Sequence, residues 1–509
     1  MVTHYVLRTT QYALLMSIPI NQPQEIRPRG LGYNPLTVGL LCGATAVIGG
    51  IILGVGGPLA ALAVVIGIVT AVVVLNNIEI GFWGVIGVIC LLPFATVPID
   101  IGLTPTFLDM ALGAVVGVWV LRLVTGQQRR VVLSPITLPI ILFIIVAIFA
   151  FIFGLANGPL TPTLLRKFAE LLLSIGFVIV VVDYCRHWVR LERLVKVLLL
   201  AGAAASAIGI GLWLLPDQLT NDILNSLQRI GYPGGWVVRY IEENPELAER
   251  AIATSVDPNV LGGLLLMIGA LAGPQLVARR PLFPRWLTYA IFGLIFVCLV
   301  LTFSRGAMVG LVAGLGFIAL VRYRRIIPYM GVAGLGLLLL PVAQAYIGRF
   351  VEGFQGGDLA TQMRFGEYRD ALTLIERYPV FGVGFAGSPD VDIYLGVANV
   401  YFTIAQVMGL VGLSFFFLVI GTLFGYAFLN RHVFKEREEM DAVWLGLHGA
   451  LVGGLVAGVF DHYLFNMEFH HAVTAFWLLI GMAVAATRLG AETAVVSATD
   501  DSIHSKATK

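Results

Sequence analysis

Apolar runs long enough to cross a bilayer recur along nearly the whole of this chain, and they decide what it can fold into. A bilayer core asks for about 20 apolar residues per helical span and leaves no backbone group without a partner inside it. Fourteen stretches meet that length: Leu36–Gly56, Leu59–Asn76, Ile78–Pro98, Phe107–Thr125, Pro135–Ala156, Phe168–Tyr184, Leu194–Leu215, Val260–Ala278, Trp286–Phe303, Gly306–Val321, Ile326–Ala345, Val400–Leu429, Ala442–Phe460 and His471–Arg488. The first two are separated only by Gly57-Pro58 and can be one broken helix. The expected fold is an all-α polytopic membrane protein with about 12–14 transmembrane helices. Composition agrees: 12% of residues are charged, against about 25% in soluble domains. The 58 glycines suit close helix packing in lipid.

The spans divide the chain. A polar, proline-rich leader (1–35) precedes N-terminal spans (36–215), an amphipathic loop (216–259), central spans (260–345), a large loop (346–399), C-terminal spans (400–488) and an Ala/Ser/Thr-rich tail (489–509) expected to be disordered. The leader lacks the short apolar core and cleavage site of a signal peptide. With the N-terminus inside, inner segments hold 22 of the 32 Lys and Arg, which satisfies the positive-inside rule. Both termini are then cytoplasmic, in a multi-pass protein of the cytoplasmic membrane, and both loops lie outside.

Several functions lose support at this stage. A net charge of +2 gives no reason to expect a nucleic-acid partner. No Cys/His cluster has metal-ligand spacing, and Cys42, Cys90, Cys185 and Cys298 lie in spans or at a cytoplasmic end, so no disulfide and no metal or other cofactor is expected. Glu79, Asp109, Glu170 and Asp183 fall near span ends, and His448 is the one deep ionisable group. A proton-coupled transporter would carry more near mid-membrane.

Four outer segments carry the chemistry instead. Residues 249–259 contain Arg250 and end in Asp257-Pro258-Asn259, a helix start in which Asp257 caps and proline is tolerated in the first turn. Helices are expected before it, over about Asp217–Gln228 and Val237–Ala251, lying flat at the interface. Ser304-Arg305-Gly306 sets an isolated arginine at the outer mouth of a span. Snorkelling alone would explain an arginine there, but not the serine before it and the glycine after it. Arg364, Glu367, Tyr368 and Ala371 share one helix face, and the turn Pro379–Gly384 follows directly. Asp461, His462, Tyr463, His470 and His471 occupy the loop before the last span. Histidine shuttles protons near neutral pH, yet interfacial histidines without a catalytic task are at least as common.

In order and topology, Arg250 to Asn259, Ser304-Arg-Gly306, Arg364 with Tyr368 and Ala371, Pro379–Gly384, Asn399-Val-Tyr401 with Gly409-Leu-Val-Gly412, and Asp461-His-Tyr463 resemble the O-antigen ligase and O-antigen polymerase superfamily. The resemblance covers about half the chain. It implies a metal-independent membrane glycosyltransferase. Such an enzyme passes a glycan from an undecaprenyl-diphosphate-linked oligosaccharide to a glycan, lipid or protein acceptor at the membrane's outer face. It also implies that Arg305 and Arg364 hold the diphosphate, a role for which paired guanidiniums are fitted. Arg250, Asp257, Asn259, Tyr368, Asn399 and Tyr401 are the candidate substrate-binding residues. Ligases usually carry a histidine just before the Asn399 position, where this chain has Ala398. The general base therefore stays open among Glu367, Asp257, Asp461 and His462. Two other readings stand beside the transferase: a flippase of lipid-linked saccharide, and a non-catalytic envelope-assembly scaffold.

Overall fold

Helices fill a computed structural model that describes residues 67, 69–97, 104–328, 331–332, 359–390 and 396–507. The leader, the span 36–56, half of the span 59–76 and most of the span 326–345 lie outside the described residues. The other eleven expected spans are all helices. They are α1 (Ile78–Leu91), α2 (Phe107–Val124), α3 (Thr137–Gly154), α4 (Pro162–Tyr184), α5 (Trp188–Trp213), α7 (Pro258–Val277), α8 (Arg285–Leu301), α9 (Arg305–Val321), α11 (Val400–Asn430), α12 (Glu438–Ala457) and α13 (His470–Ala507). The short α6 (Asp217–Ser226) and the amphipathic α10 (Leu359–Arg377) lie in the two polar loops. Among the described residues, seven helices are long and apolar enough to cross a membrane, and α1, α8 and α9 are shorter apolar helices. The chain is an all-α polytopic membrane protein.

Burial ranks the helices. The apolar stretch of α13 is buried from His470 to Gly490 and stands at the centre. Around it, α7 and α12 are also mostly buried, whereas α2, α3 and α11 keep broad apolar faces that suit lipid. Small residues permit the tightest approach, between α9 and α12. A Cβ on Gly310 would stand 2.7 Å from the Gly453 carbonyl oxygen, and one on Gly314 2.5 Å from that of Gly449. Dispersion across such backbone contacts, rather than the hydrophobic effect, holds helices together in lipid.

Two expectations fail. Residues 237–251 are not a helix but a two-stranded ribbon, β1 (Arg239–Tyr240) antiparallel to β2 (Glu249–Arg250). Pro245 forces Asn244 into an extended conformation, and Glu242 and Glu243 reverse the chain at φ 54° and 53°. At the other end, α13 continues to Ala507 through the tail expected to be disordered. Its alanines favour helix once the span has nucleated one.

The glycine turn after α10 re-enters the bundle. α11 breaks at Gly409, whose φ of 68° and ψ of −174° belong to a region open almost only to glycine. The break frees backbone groups, and the turn satisfies them. Val383 and Gly384 donate to the carbonyls of Gln406 (2.8 Å) and Val407 (3.0 Å), while Leu410 and Val411 donate to those of Pro379 (2.7 Å) and Val380 (3.3 Å). Irregular backbone is tolerated at membrane depth when protein supplies its partners. This stitch fixes α10, which carries part of the site, against α11.

Candidate functional site

One end of the bundle gathers the start of α7, the start of α9, α10, the end of α12 and the β-ribbon around a cavity of about 120 Å³. Arg250, Asn259, Arg305, Arg364 and Asp461 line it. Residues from four sequence segments, up to about 210 positions apart, therefore meet at one point. Three guanidiniums face two carboxylates there, Asp461 and Glu242, so the lining is net cationic.

Each arginine arrives by a different route. Arg305 is the first residue of α9, after Ser304 at the N-cap and Phe303 at φ 52°. That left-handed residue turns the chain sharply between α8 and α9. Gly306 follows because the start of α9 presses on the end of α12: a Cβ there would sit 3.0 Å from the Cβ of Phe460. Arg250 comes from the ribbon. Its Nε donates to the Thr302 carbonyl (2.8 Å) and its Nη2 to Asn259 Oδ1 (2.7 Å). Arg364 projects from α10, with Ala371 on the same face fully buried beneath it.

The remaining candidates stand behind the lining. Asp257 caps α7, its Oδ1 accepting from the N–H groups of Asn259 (2.7 Å) and Val260 (3.0 Å). Burial pushes its carboxyl above the usual range, and the charge of Asp461 adds to the shift, although the Val260 and Asn259 N–H groups and Arg250 oppose it. Glu367 accepts the Ala398 N–H at 3.0 Å, and the Tyr368 hydroxyl donates to the Val459 carbonyl at 3.2 Å. Burial raises the Tyr368 phenol, so it stays a neutral donor. Asn399 caps α11 through Phe402 N–H (3.0 Å) and donates to Val459 O (3.0 Å). The Tyr401 hydroxyl donates to Leu455 O at 2.7 Å. These contacts lock α10 and the start of α11 onto the end of α12, and Asp257, Glu367, Tyr368, Asn399 and Tyr401 do not line the cavity.

His462 pairs with Asp461. Its Nδ1 lies 2.9 Å from Asp461 Oδ1, which also accepts the His462 backbone N–H at 2.7 Å. The Asn466 amide settles the tautomer. Its Oδ1 accepts from Glu468 N–H (2.8 Å), so its Nδ2 donates to His462 Nε2 (3.0 Å). Neutral His462 therefore carries its proton on Nδ1, aimed at Asp461. Burial opposes charging of the ring, but the bond to Asp461 and the charges of Asp461, Glu367 and Asp257 outweigh it and raise the histidine above its ordinary value. The Asn466 donor limits that rise, because a proton on Nε2 would displace it.

Sequence reasoning missed Ile241, Glu242 and Ala307, which also line the cavity. Asn244-Pro245 was the available signal, since a proline there argues against a continuous helix and for a turn presenting Glu242. His470 and His471 begin α13 and are buried outside the lining.

Residues 290–417 match the protein family described as O-antigen ligase. That span includes Arg305, Arg364, Glu367, Tyr368, Asn399 and Tyr401. No curated protein matches the chain.

Proposed function

We propose that this relative of the O-antigen ligases is a metal-independent glycosyltransferase of the cytoplasmic membrane. It takes a glycan from undecaprenyl diphosphate and transfers it to an acceptor hydroxyl at the outer face. The observation that carries this reading is the meeting of Arg305 and Arg364 in one small cationic cavity at the end of the bundle. In the transfer, the acceptor oxygen bonds to the anomeric carbon as the bond from that carbon to the diphosphate breaks. The leaving diphosphate gains charge, and fixed guanidiniums stabilise it more than the bound ground state. Arg250, already engaged with Thr302 and Asn259, shapes the wall beside it.

Of the four candidate bases, Asp461 is the one that lines the cavity. The acceptor proton passes to its carboxylate, and the Nδ1–H of His462 orients that carboxylate. Asp257 and Glu367 are engaged with backbone N–H groups. This assignment provides a base without the histidine that Ala398 replaces.

The test is reconstituted protein supplied with undecaprenyl-diphosphate oligosaccharide and candidate acceptors, followed by loss of the lipid-linked sugar. Turnover abolished by Arg364→Ala in a folded protein supports the reading, and product size separates single-step ligation from polymerisation. Carrier binding without transfer to any acceptor would overturn it in favour of a flippase or a scaffold.

A further inference from the structure

Three ionisable groups from α2, α4 and α13, two of them buried and Asp109 half-buried, converge outside the cavity just described. Asp109 lies in the first turn of α2, Glu170 within α4, and His470 opens α13. One oxygen of each carboxylate is already engaged. Asp109 Oδ2 accepts the Thr106 N–H at 2.7 Å and lies 3.3 Å from Arg166 Nη1, and the same guanidinium nitrogen bonds Glu170 Oε1. The opposite oxygens, Asp109 Oδ1 and Glu170 Oε2, turn toward His470 Nδ1, at 3.7 and 3.6 Å. The His470 side chain is 9% exposed. Its Nδ1 and Asp109 Oδ1 are buried without a hydrogen-bond partner.

Neighbouring hydroxyls fix the histidine's tautomer. Thr474 donates to the His470 carbonyl (2.9 Å), and the Ser174 hydroxyl, 2.8 Å from Thr474 Oγ1, donates to the Glu170 carbonyl at 2.9 Å. Ser174 Oγ is then the acceptor for a proton on His470 Nε2, 2.9 Å away. Nδ1 is left with a lone pair, facing two carboxylate oxygens. A hydrogen-bonded imidazole on one side with a bare nitrogen on the other is how a metal-ligating histidine is held. A protonated Nδ1 would be drawn to within hydrogen-bond length of a carboxylate, yet both separations exceed 3.5 Å. They suit ligands around one ion: with bonds of about 2.1 Å, tetrahedral neighbours stand about 3.4 Å apart.

We infer that Asp109, Glu170 and His470 form a divalent-cation site that staples α2, α4 and α13 together. One imidazole and two carboxylates suit Zn²⁺, Mn²⁺ or Fe²⁺. Arg166 and Thr106 aim the carboxylates from behind. None of the three lines the cavity of Arg305 and Arg364, so the ion takes no part in the transfer. Its reach is mechanical: the segment between Asp461 and His470 is anchored at its far end by the site.

The experiment uses the full-length protein, stripped with chelator and exchanged into chelator-free detergent, with Co²⁺ as the probe. Equilibrium dialysis and visible absorption are expected to show one Co²⁺ per chain with nitrogen and oxygen ligation, displaced by Zn²⁺. His470→Gln and Glu170→Gln, both close in volume to the native residues, are each expected to weaken Co²⁺ binding at least about tenfold, while His432→Gln leaves it unchanged. No Co²⁺ uptake by the native chain would overturn the site. So would uptake that persists in both variants, or a His470 that simply titrates without taking up the ion.

Discussion

Arg250 holds Asn259 across the wall of the cavity, its Nη2 2.7 Å from the amide oxygen, while its Nε grips the Thr302 carbonyl. One side chain thus spans the ribbon, the start of α7 and the turn that presents Arg305. Lysine cannot make two diverging bonds from one rigid plane. Arg250→Lys is therefore expected to lower transfer by about 10- to 100-fold through misplacement of the arginines around it. Stability should fall by about 1–3 kcal/mol. Carrier turnover and thermal melting in one detergent check both. A variant with native turnover would show that the wall needs no such tie.

In the proposed transfer, Arg305 and Arg364 answer for the leaving group. Removing one preorganised donor from a developing oxyanion commonly costs about 10²–10³ in rate. Arg364→Ala and Arg305→Ala are each expected to lose that much of kcat, with smaller losses in Arg→Lys variants that keep charge but not the fork. Single-turnover release of undecaprenyl diphosphate reads the step directly. Arg364 is the cleaner target, because Arg305 also opens α9.

Hydropathy made the eleven described spans legible, since a bilayer leaves few alternatives. Arg305 was legible because an isolated cation at a span end, flanked by serine and glycine, asks for a reason. Direction was not legible. Asn399 and Tyr401 read as substrate contacts, but a polar residue at a span end serves a neighbouring helix equally well, and here both bond to carbonyls of Leu455 and Val459. The grouping of Asp109, Glu170 and His470 was invisible because three spans far apart in sequence supply one residue each. Pro245 is the residue that argues for the ribbon, because the position before a proline disfavours the helical conformation.

Glu249, on β2, gives a pH dependence. Burial, then the charge of Asp217, pushes its carboxyl from 4.5 up to about 7. A group whose folded value is raised stabilises below its unfolded value, and that stability is lost as pH rises through the folded value. The ribbon is therefore expected to loosen between about pH 4.5 and pH 7. Limited proteolysis of residues 237–251 across that window should accelerate with pH, and Glu249→Gln should flatten the response. A flat profile in the native chain would remove Glu249 from the account.

The stitch at Gly409 is the most sensitive joint. A Cβ there would stand 2.1 Å from the Val380 carbonyl oxygen, and the backbone conformation is one that only glycine adopts without strain. Relaxing α11 into regular helix would reclaim Gln406 and Val407 for internal bonding and release Val383 and Gly384. Gly409→Ala should therefore free the turn that seats α10, and Arg364 with it. The expected result is a loss of about 2 kcal/mol or more in stability, with proteolytic cleavage appearing near Pro379–Gly384. Gly421→Ala, at a site in the same helix with open space around its Cβ, should leave melting and cleavage unchanged. If the two variants behave alike, the break at Gly409 does not position the site.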